Sequence, residues 1–514
     1  MATRQGFDLK RKGDGEFARP RFINTKKVKI GLMPGYSLDD HVIQLGYKSS
    51  AYEILSFPKN PIVLSFNLWE DNTEKSTADA DKDTYKALDK TLTRFDAEQA
   101  ANTVKRLAYI NPFAVAQTFF QGADTTIDNY SLASSLKQQG NLDGLYSCFT
   151  KYFMTQDRRE EHYGISERIQ GSWDEKNKVP DFDALRSQVS FAVADSTHGN
   201  VSKTVRTCYE GVPFLSAPRN PQLQSLLKSG EGSQDMNWIV LKPGTEILFT
   251  FRRREPRWAA LEQVKILSGT TSTTVDKSKI HSDAPGTEEL HKYDLKITDL
   301  FVEAEVCILD EGVNNYKRFK RNLEQETVQQ VFDTHNTTVQ QIPPNQTSVS
   351  LKFDVAAGCA IAYLAMAHRD NLYYGSASKH YNTFFTPLPA KVESVRVYIG
   401  NEDTLWQDGL VGLNTGKPDE ERYLGYLAER GWLDYDRRRY FSQADQAYWG
   451  VLILDLSKLD INVAKEVRVE IKFSTPSGNG LFAVFSRVES KLFERRQIGG
   501  RSEYNIAPHP SAKV

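Results

Sequence analysis

Short runs in which apolar and polar side chains alternate recur along this chain, and they constrain its fold more than any other feature of the sequence. The clearest of these runs lie at 62–69, 245–253, 302–308, 349–355, 395–399 and 467–473. A period of two places one set of side chains on each face of a β-strand. Phe and Tyr, which are enriched in strands, number 27 and 23. The sequence therefore predicts a fold built mainly from β-strands.

The strand-like runs fall into two groups with a break between them. Asp310, Glu311 and Gly312 end one run, and the next clear alternation begins only at Val349. A chain of 514 residues is long enough for two to four domains of roughly 100–200 residues each. Two β-rich halves divided near 310–318 would each hold about 200–300 residues, a normal size for a β-sandwich or barrel domain.

Four segments lack the alternation and favour helices instead. They are 84–107, which is rich in Ala, Lys and Gln; 141–155, with apolar residues at helical spacing; 315–332; and 420–430, which ends before Gly431. The polar segment 268–288 predicts a loop, and 481–485 is the last clear strand of the sequence.

The charges are balanced overall but unevenly distributed. Lys and Arg number 65 against 66 Asp and Glu, for a net charge of -1, which excludes a protein that coats nucleic acid through bulk positive charge. The first thirty residues carry nine basic and three acidic side chains, and we expect residues 1–30 to form a flexible basic arm. No apolar run reaches the roughly 18–20 residues of a membrane helix, and no apolar signal-peptide core follows Met1, so we expect no secretion.

A search for chemical motifs gives negative results. The four cysteines show no CxxC spacing, which argues against a zinc site and a disulfide scaffold; they are Cys148, Cys208, Cys307 and Cys359. The nine histidines do not cluster, and neither His162 nor His368 has a second metal ligand at a useful spacing. Segment 411–417 departs from a phosphate-binding loop at both ends. We therefore predict no catalytic, cofactor-binding or metal-binding residue, and no cofactor.

Two further features leave alternatives open. Carboxylates are abundant, and an all-β glycosidase needs only two of them at the right separation. The basic cluster Arg437–Arg439 lies among aromatic residues, but it is short, which favours a solvated or interface loop over a nucleic-acid site. The residues alone favour a structural or binding role over catalysis.

The carboxyl-terminal strands carry a resemblance to a known family. The segments Tyr448–Ser457, Val467–Phe473 and Leu481–Glu489 resemble the closing strands of the hexon-like major capsid proteins of Maverick/Polinton elements and adintoviruses, which are distantly similar to adenovirus hexon. In that family an F-x-L-D-L-S strand leads to an L-x-L-E-x-K-F strand and then to a strand with an acidic, aromatic tail.

Three other segments resemble the same family. Asn111–Phe120, followed by 141–155 and Arg158–Glu161, resembles part of its first jelly roll, in which a strand precedes a helix and a charged turn. The predicted helix around Tyr316–Gln330 resembles its link into the second jelly roll, and Leu388–Val392 resembles its L-P-x-R/K-I/V segment. The first hundred residues match the family poorly, and the usual Asn-Pro-Phe after 395–399 is missing.

The resemblance implies an all-β fold of two consecutive eight-stranded jelly rolls (a double jelly roll) with a few helices in the connections. The expected parts are the arm 1–30, a first jelly roll at 31–312, a second at 313–496 and a tail at 497–514. It also implies a structural major capsid protein of the virion, not an enzyme, that forms pseudo-hexameric homotrimers tiling an icosahedral capsid.

The partners that the resemblance implies are other copies of the chain, first within the trimer and then in neighbouring trimers, together with penton and minor capsid proteins. The basic arm would meet packaged DNA or an inner membrane. The alternatives are a minor or penton-like virion protein, which needs only one jelly roll, and an all-β carbohydrate-active enzyme or lectin.

Overall fold

The computed structural model describes residues 22–58, 60–71, 85–87, 104–109, 115–134, 173–174, 179–180, 190–191, 202–216, 238–253, 261–268, 271–274, 292–309, 328–355, 359–368, 392–399, 402–403, 410–411, 451–455, 465–473, 476–477, 481–498 and 501–508. These residues are almost entirely β-strand, with one short helix, α1 (Val115–Phe119). In this described part of the chain no helix is both long and apolar enough to cross a bilayer.

The first half of the chain contributes seventeen described strands. They are β1 (Phe22–Ile30), β2 (Val42–Lys48), β3 (Glu53–Ser56), β4 (Ile62–Asp71), β5 (Tyr85–Ala87), β6 (Val104–Tyr109), β7 (Phe120–Ile127), β8 (Tyr130–Ser134), β9 (Trp173–Asp174), β10 (Val179–Pro180), β11 (Ser190–Phe191), β12 (Ser202–Thr207), β13 (Trp238–Leu241), β14 (Glu246–Arg253), β15 (Leu261–Ser268), β16 (Thr271–Thr274) and β17 (Lys292–Leu309).

The pairing of these strands is that of a jelly roll, whose eight strands B to I form one sheet in the order B-I-D-G and another in the order C-H-E-F. One sheet of the first half contains the path β1-β17-β4-β12, and the other has the order β2-β14-β7-β8. With β1, β2, β4, β7, β8, β12, β14 and β17 as B to I, both orders match. All these pairs are antiparallel.

The second half contributes ten described strands. They are β18 (Val328–Gln341), β19 (Ser348–Val355), β20 (Cys359–His368), β21 (Val392–Ile399), β22 (Glu402–Asp403), β23 (Leu410–Val411), β24 (Val451–Asp455), β25 (Lys465–Phe473), β26 (Leu481–Ile498) and β27 (Arg501–Pro508).

The same strand order recurs in the second half. Its sheets have the orders β18-β26-β20-β24 and β19-β25-β21-β22, which are again B-I-D-G and C-H-E-F. The F position is held by short strands, since β22 and β23 pair with different parts of β21. The ninth strand, β27, pairs with the distal part of β26. The fold is therefore an all-β double jelly roll, as the resemblance implied.

The alternating runs explain where the two cores lie. In the first jelly roll, Ile247, Phe249 and Phe251 of β14 are fully buried, while Thr250 between them is only partly buried. They pack in one apolar cluster with residues of the facing sheet, such as Leu64 and Val302. In the second jelly roll, the buried Phe353 of β19 faces the buried Phe485 of β26, with ring centroids 4.4 Å apart. Burial of the apolar face of each sheet against its partner is what holds such a sandwich together.

Two of the helix predictions are wrong where the structure describes them. The segment 84–107 was expected to be helical, but Tyr85–Ala87 and Val104–Tyr109 are strands, and the latter pairs with β15. The segment 315–332 was expected to be helical, but β18 begins at Val328 and pairs along its whole length with β26. In both cases pairing with a strand distant in sequence outweighs a weak local helix preference. The predicted helices at 141–155 and 420–430 lie outside the described residues.

Five expectations about individual segments also need correction. Residues 22–30, placed in the flexible arm, form β1, and their partner is β17. The strand predicted at 481–485 runs to Ile498, and residues 501–508 of the expected tail form a further strand, β27. The strand expected at 111–120 is replaced in part by α1, and the loop 268–288 contains β16. Each of these strands is fixed by a hydrogen-bonded partner, which local composition does not reveal.

Candidate functional site: the paired jelly rolls and their junction

In the described part of the chain, apolar side chains fill the interior of the first sandwich. Ring contacts in the first jelly roll include Phe57 with Phe249, whose centroids are 5.8 Å apart, and Phe120 with Phe251 at 4.8 Å. These closely packed rings occupy the space between the two sheets as part of the hydrophobic core. This arrangement suits a scaffold whose chemistry lies on its surfaces and in its connections.

The residues examined for chemistry do not form a site where they are described. Cys208 is buried, and its thiol donates to Glu210 Oε1 at 3.1 Å. Cys307 and Cys359 lie in β17 and β20, and His368 ends β20. Cys148, His162 and Arg437–Arg439 lie outside the described residues. Among the residues that are described, no group of three His, Cys, Asp or Glu side chains could hold a metal ion.

A buried carboxylate lies inside the first jelly roll, at a position that no sequence pattern predicted. Glu53, in β3, is 2% exposed, and its Oε1 accepts a hydrogen bond of 2.7 Å from the Tyr47 hydroxyl. Burial raises the pKa of Tyr47 well above its usual range, and the hydrogen bond to Glu53 and the charge of Glu53 act in the same direction. The pair stabilises the local structure with Tyr47 in its neutral form.

The outer faces of the sheets carry acidic and basic side chains that form ion pairs between different strands. In the first jelly roll, Glu303 of β17 pairs with Arg206 of β12 at 2.6 Å and with Lys27 of β1 at 3.7 Å. In the second, Lys352 of β19 pairs with Glu466 of β25 at 3.1 Å. Charges of both signs keep a sheet face hydrophilic, and they prevent it from having a strongly positive or strongly negative electrostatic potential.

The two jelly rolls meet at a junction formed by Tyr504 and Arg495 of the second half and Asp128 and Tyr130 of the first. The Tyr504 hydroxyl donates to Asp128 Oδ2 at 2.5 Å, and the Tyr504 and Tyr130 rings stack with centroids 5.6 Å apart. Arg495, directly opposite Tyr504 in the β26–β27 pair, is 4% exposed. Burial lowers the pKa of Arg495, while the charge of Asp128 acts in the opposite direction.

Comparison with solved structures finds distant likenesses to chains of viral capsids. A chain from the cryo-EM structure of the Sputnik virophage matches with 10% identity, covering 98% of this chain and 93% of that one, at a TM-score of 0.48. The mavirus major capsid protein matches with 8% identity over 98% of this chain and 93% of that chain, at 0.42. A capsid chain of the virus PBCV-1 matches with 9% identity over 95% and 98%, at 0.43.

No protein-family model matches the sequence. No curated protein is similar to it in sequence either. The strand order of the two halves, rather than these distant likenesses, establishes the double jelly roll.

Proposed function

We propose that this chain is a structural major capsid protein. The observation that carries the proposal is the presence of two consecutive jelly rolls with the same strand order in a single chain. Jelly rolls recur in viral capsid and lectin domains, and they protect most strand edges by folding one chain into two facing sheets. The carboxyl-terminal segments that resemble hexon-like capsid proteins, 448–457, 467–473 and 481–489, correspond here to β24, β25 and β26 of the second jelly roll.

In the proposed assembly three copies form a homotrimer. Two jelly rolls per chain give such a trimer a pseudo-sixfold outline, which allows it to tile the facets of an icosahedral capsid. The proposal includes a hexon-like subunit of the Maverick/Polinton–adintovirus type, located in the virion. Its partners are other copies of itself, neighbouring trimers, and penton and minor capsid proteins. We also propose that the division between the jelly rolls lies near 312–313. Since β1 belongs to the first jelly roll and β26 to the second, their outer limits are Phe22 and Ile498.

The alternatives make different use of the same fold. A penton-like protein needs one jelly roll, whereas this chain builds both four-strand orders twice. A carbohydrate-active enzyme or a lectin needs a cleft with polar groups that converge on a sugar. The described interior of the first jelly roll is instead packed with Phe and aliphatic side chains, which favours a structural role.

The mass of the purified protein in solution tests the proposal. Light scattering is expected to give about 175 kDa, three times the 58.3 kDa of one chain. Electron microscopy of concentrated protein is expected to show pseudo-hexagonal particles. A monomer or dimer that binds a sugar on a glycan array would contradict the proposal and support the lectin alternative, and a pentamer would support the penton-like one.

The basic amino-terminal residues are proposed to meet packaged DNA or an inner membrane. Because β1 begins at Phe22, a deletion of residues 1–20 removes basic residues without removing this strand. We expect the deletion to leave the trimer intact and to reduce particle assembly. The triple variant K10Q, R11Q and K12Q, which keeps the length, should reproduce the effect if charge is responsible. Loss of the trimer itself would contradict this role.

A further inference from the structure

The last strand of the chain contacts both jelly rolls. In the second, β27 forms a continuous antiparallel pair with β26, from Lys491 opposite Pro508 to Ile498 opposite Arg501. In the first, the partly buried side chains of Tyr504 and Ile506 pack against the hydrophobic core cluster. The strand lies beyond the eight that complete the second jelly roll, so its presence has no explanation in the jelly-roll topology alone.

The surface that receives Tyr504 is held rigidly by the first jelly roll. Asp128 and Asn129 form the two-residue turn between β7 and β8, and both have positive φ, at 47° and 68°. Two left-handed residues in a row define the tight hairpin turn that matches the twist of the flanking strands. The Glu246 backbone N–H donates to Asp128 Oδ1 at 2.9 Å. The carboxylate is therefore oriented before Tyr504 reaches it.

Three kinds of interaction coincide at Tyr504. Its hydroxyl donates to the oriented Asp128 carboxylate, its ring stacks on Tyr130 with an interplanar angle of 27°, and its backbone lies opposite the buried Arg495. A charge-assisted hydrogen bond is stronger than a neutral one, and stacked rings add their own attraction. Both contributions depend on the relative position of the two jelly rolls, because the partners belong to different halves.

We propose that β27 is a latch that locks the two jelly rolls into one rigid, cooperatively unfolding unit, with Tyr504 as its positioning residue. Domains of one chain move relative to each other unless their interface is large and hydrophobic. A strand that belongs to the sheet of one domain and packs side chains against the core of the other restricts that motion. Its release would let each jelly roll move and unfold separately.

Differential scanning calorimetry of the full chain tests the latch. We expect the wild type to unfold in a single transition and Tyr504→Ala to unfold in two, because the rolls are no longer coupled. Tyr504→Phe keeps the ring and removes only the hydroxyl, so it should keep one transition with the midpoint lowered by about 2 °C or more. The matched control is Tyr36→Ala, since Tyr36 is a 40% exposed tyrosine of the first half, and it should change neither value.

The proposal is overturned if Tyr504→Ala and Tyr504→Phe both behave like Tyr36→Ala. Small-angle X-ray scattering provides a second measurement. Tyr504→Ala should increase the radius of gyration of the chain, and an unchanged radius would count against the latch. If Tyr504→Ala does not fold, Tyr504→Phe still decides through its midpoint. Scans at two protein concentrations separate the latch from contacts between copies, because only those contacts depend on concentration. A wild type that is not a trimer would therefore contradict the capsid proposal and leave the latch to be judged by these scans.

Discussion

The two jelly rolls have the same strand order but fill their interiors with different side chains. In the first, aromatic rings form a connected series across the core, from Phe66 to Phe119 at 4.7 Å, then to Phe120 at 6.4 Å, and on to Phe251 at 4.8 Å. Phe66 belongs to one sheet and Phe251 to the other, so the series joins them. The helix α1, which ends at Phe119, supplies the middle of the series.

In the second jelly roll, β-branched residues dominate the buried positions of two neighbouring strands. The buried positions of β21 and β25 are filled mainly by Val and Ile, namely Val395, Val397, Ile399, Val467, Val469 and Ile471. Between the two sheets, Phe353 of β19 stacks on Phe485 of β26 with centroids 4.4 Å apart. Jelly-roll topology therefore fixes which faces are buried, while different residue types can fill the space between them.

The largest expected effect is the loss of a ring from the first core. Phe249 is fully buried and contacts Phe57 edge to face. Phe249→Ala should lower the free energy of unfolding by about 3–5 kcal/mol, because a large cavity opens in a close-packed core. Val469→Ala, at a fully buried position of the second jelly roll, removes less volume and should cost about 2 kcal/mol. Urea denaturation measures both, and equal costs would remove the distinction between the cores.

The next effect concerns the buried pair Tyr47 and Glu53 of the first jelly roll. Tyr47→Phe keeps the ring but removes the hydroxyl that donates to Glu53 at 2.7 Å. Because the buried carboxylate loses a hydrogen bond, the free energy of unfolding should fall by about 1–3 kcal/mol. The double variant Tyr47→Phe with Glu53→Gln serves as the control, since the neutral amide tolerates burial better than a charge. A single variant as stable as the wild type would show that this pair contributes nothing.

The same pair predicts a pH dependence. The pKa of Tyr47 is raised in the folded state, so the folded protein binds the phenolic proton more tightly than the unfolded chain does. The resulting stability is fully present below about pH 10, the usual value for tyrosine, and is lost as the pH rises above it. Between pH 8 and pH 11 the wild type should therefore lose more thermal stability than Tyr47→Phe. Equal losses in the two proteins would contradict the prediction.

In the second jelly roll, the pair Phe353 and Phe485 can be tested by a double-mutant cycle. Replacing each residue by Leu, and then both together, should give a coupling of about 0.5–1.5 kcal/mol, the usual contribution of an aromatic pair beyond burial. The same cycle on Phe57 and Phe249 of the first jelly roll should give a smaller coupling. Phe57 also stacks on Phe214 with ring centroids 5.2 Å apart. Because Phe57 keeps this second aromatic partner when Phe249 is replaced, less of its interaction energy depends on Phe249. The reverse ranking would contradict this view of the two cores.

The sequence predicted strands well where alternation and burial coincide. The run at 467–473 predicted β25, and Val467, Val469, Ile471 and Phe473 are all buried there. The run at 245–253 predicted β14 equally well, since Ile247, Phe249 and Phe251 are buried there. In such segments the two faces of a strand meet different surroundings, and the sequence records this directly.

The sequence did not predict strands whose character depends on a distant partner. Arg501–Pro508 is largely polar and ends in proline, so it was expected to be part of a tail, yet it pairs with β26 along its whole length. The junction was missed for the same reason, because Tyr504 and Asp128 are 376 residues apart. A hydrogen bond across such a distance leaves no periodic pattern in either segment.

The smallest expected effect is on the surface, where each jelly roll carries a cross-strand ion pair. Glu303 forms ion pairs with Arg206 and Lys27, and its side chain is only 15% exposed. Glu466 pairs with Lys352 on the outer face of the second jelly roll and is 44% exposed. Glu303→Gln should cost up to about 1 kcal/mol and Glu466→Gln about half of that or less, because solvent screens the more exposed pair. In 1 M salt both costs should shrink, since the Debye length falls to about 3 Å. Chemical denaturation at low and high salt measures this difference. A larger effect at Glu466 would mean that exposure does not set the strength of these pairs.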